Sequence, residues 1–185
     1  MTLRLAIPVL WAIAALGATL LRSAPTARAV RGRTLIVLAI VALAIPVTVL
    51  GLRQQPLAVL VGAGAAAVGL VSAPRLVRLR RAARGIAAAG PGTPAPPALR
   101  AAAGQPQIVS PLHGTAYAAL AGLIVSLTSV SPKATVLPVL LAIAIDWGWS
   151  AWHQPVRVPR LVFAPPKLDR GRLDRSAGST VAPAR

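Results

Sequence analysis

Residues 57–84 read LAVLVGAGAAAVGLVSAPRLVRLRRAAR, an apolar run rich in small residues that is followed directly by five arginines. As a helix rising about 1.5 Å per residue, the uncharged part at 57–73 is just long enough for a bilayer core of about 30 Å. Positively charged loops are retained in the cytoplasm during membrane insertion. The stretch therefore predicts a membrane-spanning helix whose carboxyl end faces the cytoplasm.

Four further apolar stretches extend this pattern along the chain. Together with residues 57–73, they make five stretches, at 5–21, 34–52, 57–73, 115–131 and 134–152. Joined in order, they place seventeen of the twenty Lys and Arg residues on one side of the membrane; the three on the other side are Arg4, Arg53 and Lys133. We therefore expect an all-α integral membrane protein, a five-span helical bundle with its N-terminus outside and its C-terminus inside. The expected location is the inner (plasma) membrane of a bacterial cell, as a multi-pass protein.

Composition agrees with this class. Hydrophobic residues make up 56% of the chain and charged residues 12%, whereas soluble domains carry about 25% charged residues. The net charge of +17 is expected to meet anionic lipid headgroups at the cytoplasmic leaflet. The chain has no cysteine, which excludes disulfides and thiolate chemistry.

Two of the apolar stretches allow a second interpretation. The stretch at 5–21 resembles a signal peptide with a cleavage site at residues 27–29. Cleavage there would leave four spans and move most of the basic loops outside. The fourth stretch is diluted by hydroxyl residues, and if it did not cross, the seven basic residues of the tail would lie outside. The charge distribution favours an uncleaved first span and a crossing fourth span.

The predicted organisation has four parts. Spans one to three occupy 1–73, a cytoplasmic loop 74–114, a transmembrane hairpin 115–152 and a cytoplasmic tail 153–185. In the loop, an apolar face is formed by Leu76, Leu79, Ala83 and Ile86. This pattern is typical of an amphipathic helix in the headgroup region, with lipid phosphates bound by Arg75, Arg78, Arg80, Arg81 and Arg84. Residues 90–97 predict a disordered or polyproline linker, and the basic tail predicts disorder.

The third span carries small residues at helical spacing. Gly62 with Ala66, and Ala65 with Gly69, repeat a small-xxx-small pattern that lets helix backbones approach closely. Two interpretations remain open, which are packing inside the bundle and a contact between two copies of the chain.

Asp146 is the one acidic residue inside a span, which makes it a functional-site hypothesis. Ser150 and His153 follow on the same helical face, and His113 enters span four at the same level. These residues form the candidate ion or proton site. Tryptophans around Asp146 indicate the inner aromatic belt, so hydration or an arginine partner from the inner loops is the other interpretation. The spacing of the imidazoles and the carboxylate matches no metal motif, so neither a metal nor a cofactor is expected.

The chain lacks the motifs of catalysis. It has no glutamate, no phosphate-binding Gly-x-x-x-x-Gly-Lys loop and no Gly-x-Ser-x-Gly nucleophile motif, so we expect no enzyme. Nucleic acid is not expected either, because no aromatic residues interleave with the arginines. The expected function is a non-catalytic membrane subunit or scaffold that binds anionic lipid and a membrane-protein partner or a second copy. The alternative is a small oligomeric transporter or channel that uses Asp146.

Overall fold

A computed structural model describes residues 2–90, 92–128 and 130–152, and within these ranges all regular secondary structure is helical. The helices are α1 (Thr2–Leu21), α2 (Ala27–Gly51), α3 (Ala58–Ala67), α4 (Ala73–Ala87), α5 (Pro97–Ala103), α6 (Pro106–Leu127) and α7 (Pro132–Trp152). A 3₁₀ turn, Leu52–Gln54, follows α2, and a π turn, Val68–Ser72, joins α3 to α4. Three helical segments are long and apolar enough to cross a membrane, at Ala27–Gln54, Ala58–Ala87 and Pro97–Leu127. The protein is therefore membrane-embedded, and its described part is all-helical.

The first two helices pack closely along the bundle. Trp11 is fully buried, and its indole Nε1 donates a hydrogen bond to Oγ1 of Thr48, with 2.9 Å between the atoms. Gly17 permits a close approach, because a Cβ at this position would lie 2.9 Å from a methyl carbon of Val37. Lipid does not drive apolar helices together, so close packing and interhelical hydrogen bonds of this kind hold the pair.

The basic helix forms where the sequence predicts it, but its apolar face is covered by protein and not by lipid; its place in the headgroup region stays a prediction. α4 continues α3 through the π turn without a break and packs along the first half of α2. Leu76, Leu79 and Ala83 are each 0% exposed, so the apolar face meets protein and not lipid. An amphipathic pattern predicts that a helix buries one face; it does not predict what covers that face.

Of the two predictions for the linker, disorder does not fit its described residues, whereas Pro96 has the polyproline backbone conformation, with φ −57° and ψ 149°. Ala27 N–H donates to the carbonyl of Thr93 at 3.1 Å, and Ala95 N–H donates to the carbonyl of Pro25 at 3.0 Å. Ala95 is buried, and α5 follows with Leu99 fully buried. Backbone pairing with the segment before α2 fixes this stretch, a contact that composition alone does not indicate.

α6 begins at Pro106, well before the predicted start at residue 115, and its last helical residue is Leu127. Proline is favoured in the first turn of a helix because its missing N–H has no partner there. Further along, Pro111 cannot donate to the carbonyl of Gln107, and the hydroxyl of Ser72 donates to that carbonyl instead, at 3.2 Å. The predicted tail at 153–185 lies outside the described residues.

Candidate functional site: a polar cluster and a basic head

A chain of polar side chains joins α1, α6 and α7. Nδ1 of His113 lies 3.0 Å from Oδ1 of Asp146. On the other side of the ring, Nε2 of His113 lies 3.0 Å from Oγ1 of Thr19, whose hydroxyl donates to the carbonyl of Ala15. The side chains of His113 and Asp146 are only 19% and 20% exposed. We call Thr19, His113 and Asp146 the polar cluster.

The hairpin of α6 and α7 brings the acid and the imidazole together. Gly114 faces Ile143, because a Cβ at Gly114 would be in van der Waals contact with that side chain, at 3.5 Å. The two helices run in opposite directions, so the residue before Gly114 and the residue three beyond Ile143 both lie toward the same end of the hairpin, about 3 Å apart along the helix axis. His113 and Asp146 are those residues.

Both ring nitrogens of His113 lie within hydrogen-bond distance of a polar side chain. Nε2 meets the hydroxyl of Thr19, which donates to the carbonyl of Ala15, and Nδ1 meets Oδ1 of Asp146. Ionisable side chains inside a membrane bundle pair with one another, because an isolated charge there is costly.

Two buried side-chain oxygens, one of them in the pair itself, lack a hydrogen-bond partner within the described part of the chain. They are Oδ2 of Asp146 and Oγ of Ser110. Ser110 lies one helical turn before Gly114, on the side of α6 that faces α7. Tyr117 contributes an aromatic wall, with its ring centroid 6.1 Å from that of His113.

The structure describes two of the four residues predicted for this site with their side chains, Asp146 and His113. Asp146 and His113 come together, as the candidate ion or proton site requires. The alternative of an arginine partner is not found, because no arginine forms an ion pair with Asp146 among the described residues. The Ser150 side chain and His153 lie outside the part that the structure describes. Thr19 was missed, because a single threonine in an apolar helix carries no signal until its neighbours are known.

Above the polar cluster, the chain folds into a compact basic unit, which we call the basic head. It comprises residues 27–33 of α2, residues 74–87 of α4, residues 92–96 and α5. Its arginines at Arg28, Arg78, Arg81, Arg84 and Arg100 are exposed, while Arg80 is partly covered. Arg75 donates to the carbonyl of Val71 in the π turn at 2.9 Å.

Arg33, at the base of the basic head, has a structural role. Its guanidinium donates to the carbonyl of Leu20 at 2.6 Å and to the hydroxyl of Ser23 at 3.2 Å. The last carbonyls of a helix have no partner inside the helix, so Arg33 caps α1 and neutralises the negative end of its dipole. These contacts connect the base of the head to the end of α1, and one of them is made to the residue that follows Thr19.

The small residues of the third span, in α3 and the π turn, divide between packing and exposure. Ala65 is buried, Gly62 and Gly69 are half-buried, and Ala66 is exposed. The closest approach is made by Gly64, which the pattern did not single out: a Cβ there would collide with Oγ1 of Thr115 and lie 3.1 Å from the Thr115 Cα. Gly64 of α3 therefore packs against α6.

The polar cluster can exchange a proton and accept hydrogen bonds. No group of three His, Cys, Asp or Glu side chains that could hold a metal ion gathers in the described ranges. A scan against family models finds no match to the chain, and searches of curated proteins and of solved structures find none either.

Proposed function

We propose that this protein is a non-catalytic, multi-pass subunit or scaffold of a membrane complex, with five crossings, its N-terminus outside and its C-terminus inside. The observation that supports it best is the folded basic head, a fixed array of arginines on one end of an apolar bundle. Asp146 is the one carboxylate in the described part of the chain, and His113 engages it, so these residues leave the array unneutralised. A surface of one charge sign on a membrane anchor suits recognition more than catalysis.

The orientation is supported by the position of the charges on the bundle. Arg53 and Lys133 stand at the end opposite the head, and the head carries most of the described arginines. Because positive charge is retained in the cytoplasm, this distribution supports an orientation with the head inside the cell and the bundle in the inner (plasma) membrane.

Cysteine labelling tests this topology without background, because the chain has no cysteine. We expect Gly85→Cys to react with an impermeant maleimide only after the cells are opened, and Gln54→Cys to react in intact cells. Both positions are exposed, and a Cβ at Gly85 would meet no atom within 4 Å. Labelling of Gly85→Cys in intact cells would reverse the orientation.

The subunit function itself is tested by purification in mild detergent at native expression, followed by mass spectrometry. A distinct protein that co-migrates at fixed stoichiometry is the expected result. Recovery of the chain alone as a homo-oligomer would contradict the subunit function and favour the second candidate.

The second candidate is proton or cation movement through the polar cluster. It is favoured by the contacts of His113 with both Asp146 and Thr19, which join three helices by polar atoms within an apolar bundle. In proteoliposomes with an imposed pH gradient, this function requires that Asp146→Asn abolish flux at normal protein abundance. Ser126→Ala is the matched control, because this exposed hydroxyl donates only to the carbonyl of Leu123 in its own helix. Equal flux in wild type and Asp146→Asn would exclude the candidate.

A further inference from the structure

Two buried oxygens stand on the facing sides of α6 and α7 with no hydrogen-bond partner among the described residues. One is Oγ of Ser110, a residue that is only 8% exposed. The other is Oδ2 of Asp146, whose Oδ1 meets His113. Leaving a buried polar atom without a partner costs as much free energy as desolvating it, so two such oxygens at one helix contact point to a ligand.

The hydroxyl of Ser110 is turned away from its own helix. Hydroxyls within helices commonly donate to the carbonyl one turn earlier. The buried hydroxyl of Thr34 donates in this way to the carbonyl of Val30, at 2.7 Å. That of Thr115 donates to the carbonyl of Pro111, also at 2.7 Å. Ser110 makes no such bond, so its hydroxyl is available to a group in the contact between α6 and α7, which we call the α6–α7 seam.

Helix geometry places Ser110 beside the pair of His113 and Asp146. At about 100° per residue, Ser110 is turned about 40° from Gly114 and His113 about 100°, in the same sense, so both lie on one side of the seam. Gly114 and Ile143 define a common level of the two helices. From that level, Ser110 lies about 6 Å and Asp146 about 4.5 Å toward the basic head, at about 1.5 Å per residue. The two residues are therefore neighbours across the seam.

The side chains of these neighbours then diverge. Helical side chains lean toward the N-terminus of their own helix. Since α6 and α7 run in opposite directions, Ser110 leans toward the basic head and Asp146 leans away from it. The divergence accounts for the lack of a direct hydrogen bond between Oγ and Oδ2. Polar groups separated by more than about 3.5 Å are commonly bridged by a water molecule.

We propose that Oγ of Ser110 and Oδ2 of Asp146 bind one water molecule in the α6–α7 seam. Water can donate one proton to the carboxylate oxygen and either donate to the hydroxyl or accept from it. A calcium ion takes about six to eight oxygen ligands, and no group of three His, Cys, Asp or Glu side chains gathers in the described ranges. The water site deepens the second candidate function and rests on it for its role, because a proton can reach a buried carboxylate through one bound water.

The test uses the full chain in lipid bilayers, with ¹³C in its aspartates alone. The chain has three aspartates, Asp146, Asp169 and Asp174, so Asp146→Asn identifies the Asp146 carboxyl signal in solid-state NMR by its loss. The measured quantity is magnetisation transfer from water to that carboxyl carbon. We expect transfer in the wild type, and Ser110→Ala should reduce it at least about twofold, because the water loses one of its two protein partners.

Ser126→Ala is the matched control, since it removes a hydroxyl of the same helix that donates only to the carbonyl of Leu123. We expect it to leave the transfer unchanged. Absence of transfer in the wild type would overturn the proposal, whether or not any variant folds. Equal transfer in the wild type and in Ser110→Ala would overturn it too. If replacing sodium by choline in the buffer moves the Asp146 carboxyl signal, the ligand is a metal cation and the water site is wrong.

The second candidate function fails separately from this site. Equal proton flux in the wild type and in Asp146→Asn excludes transport, while transfer from water to the Asp146 carboxyl still establishes the water site. Flux that requires Asp146, together with no transfer from water to its carboxyl, keeps the transport function and excludes the site.

Discussion

α6 and α7 are neighbours of nearly equal length, 22 and 21 residues, yet they occupy opposite environments. α6 contacts α1, α3, the π turn and α7, and half of its residues are buried. α7 packs chiefly against α6, and of its described side chains only Val139 is buried. Hydropathy does not distinguish the two helices. The difference lies in which helix carries small residues on several faces.

Small residues allow α6 to occupy the centre. Gly114 receives Ile143 of α7, and Gly122 faces the amide of Gln55, where a Cβ would lie 3.1 Å from Oε1. α7 instead presents Leu137, Trp147 and Trp149 outward, each more than half exposed. Since lipid is as apolar as these side chains, nothing forces them inward. α7 is thus held by its packing against α6, which includes Ile143 at Gly114, and by the pair of His113 with Asp146.

The largest effect is expected where α6 meets α3. Gly64→Ala places a Cβ against both the side chain and the backbone of Thr115, and the backbone cannot move aside. We expect a loss of about 3 kcal/mol in the free energy of unfolding, at the upper end for overpacking. Reversible unfolding in mixed micelles measures it. Gly148→Ala on α7 is the control, because a Cβ there meets no atom within 4 Å, and a comparable loss in this variant would remove the contrast between the helices.

A smaller effect is expected from deleting one leucine side chain in each helix. Leu112 of α6 is 0% exposed, so Leu112→Ala leaves a cavity and should lower the unfolding free energy by about 2 kcal/mol. Leu141 of α7 is 59% exposed, and lipid fills the space that Leu141→Ala vacates. We expect almost no change for that variant in the same unfolding assay. Equal losses would mean that α7 is covered by protein.

The smallest effect is expected from the polar tie of α7. A double-mutant cycle with His113→Ala and Asp146→Ala should give a coupling energy of about 1 kcal/mol, the upper range for hydrogen-bonded pairs in membrane bundles. Thr135→Val is a control on the same helix, since the Thr135 hydroxyl donates only to the carbonyl of Pro132. Zero coupling would show that Ile143 and its neighbours hold α7 without the pair.

The basic helix shows how far periodicity carries a prediction. The spacing of Leu76, Leu79 and Ala83 correctly predicted a helix with one apolar face. The sequence assigned that face to lipid, because nothing in residues 74–87 identifies α2 as its cover. The error follows from the physics, since an apolar face is stabilised about equally by lipid tails and by another apolar helix.

The candidate site divides in the same way. The sequence by itself determined that the protein is helical and membrane-embedded, and that Asp146 is the exceptional charge, because a carboxylate in an apolar span is costly wherever the helices lie. Only the tertiary structure decided its partners. The register of the α6–α7 hairpin brings His113 to Asp146. Thr19 comes from α1 and precedes His113 by 94 residues. Hydropathy is a property of each residue, so it can be read directly from the sequence. Contacts between helices depend on close packing of residues that are distant in the sequence, and they exist only once the bundle has formed.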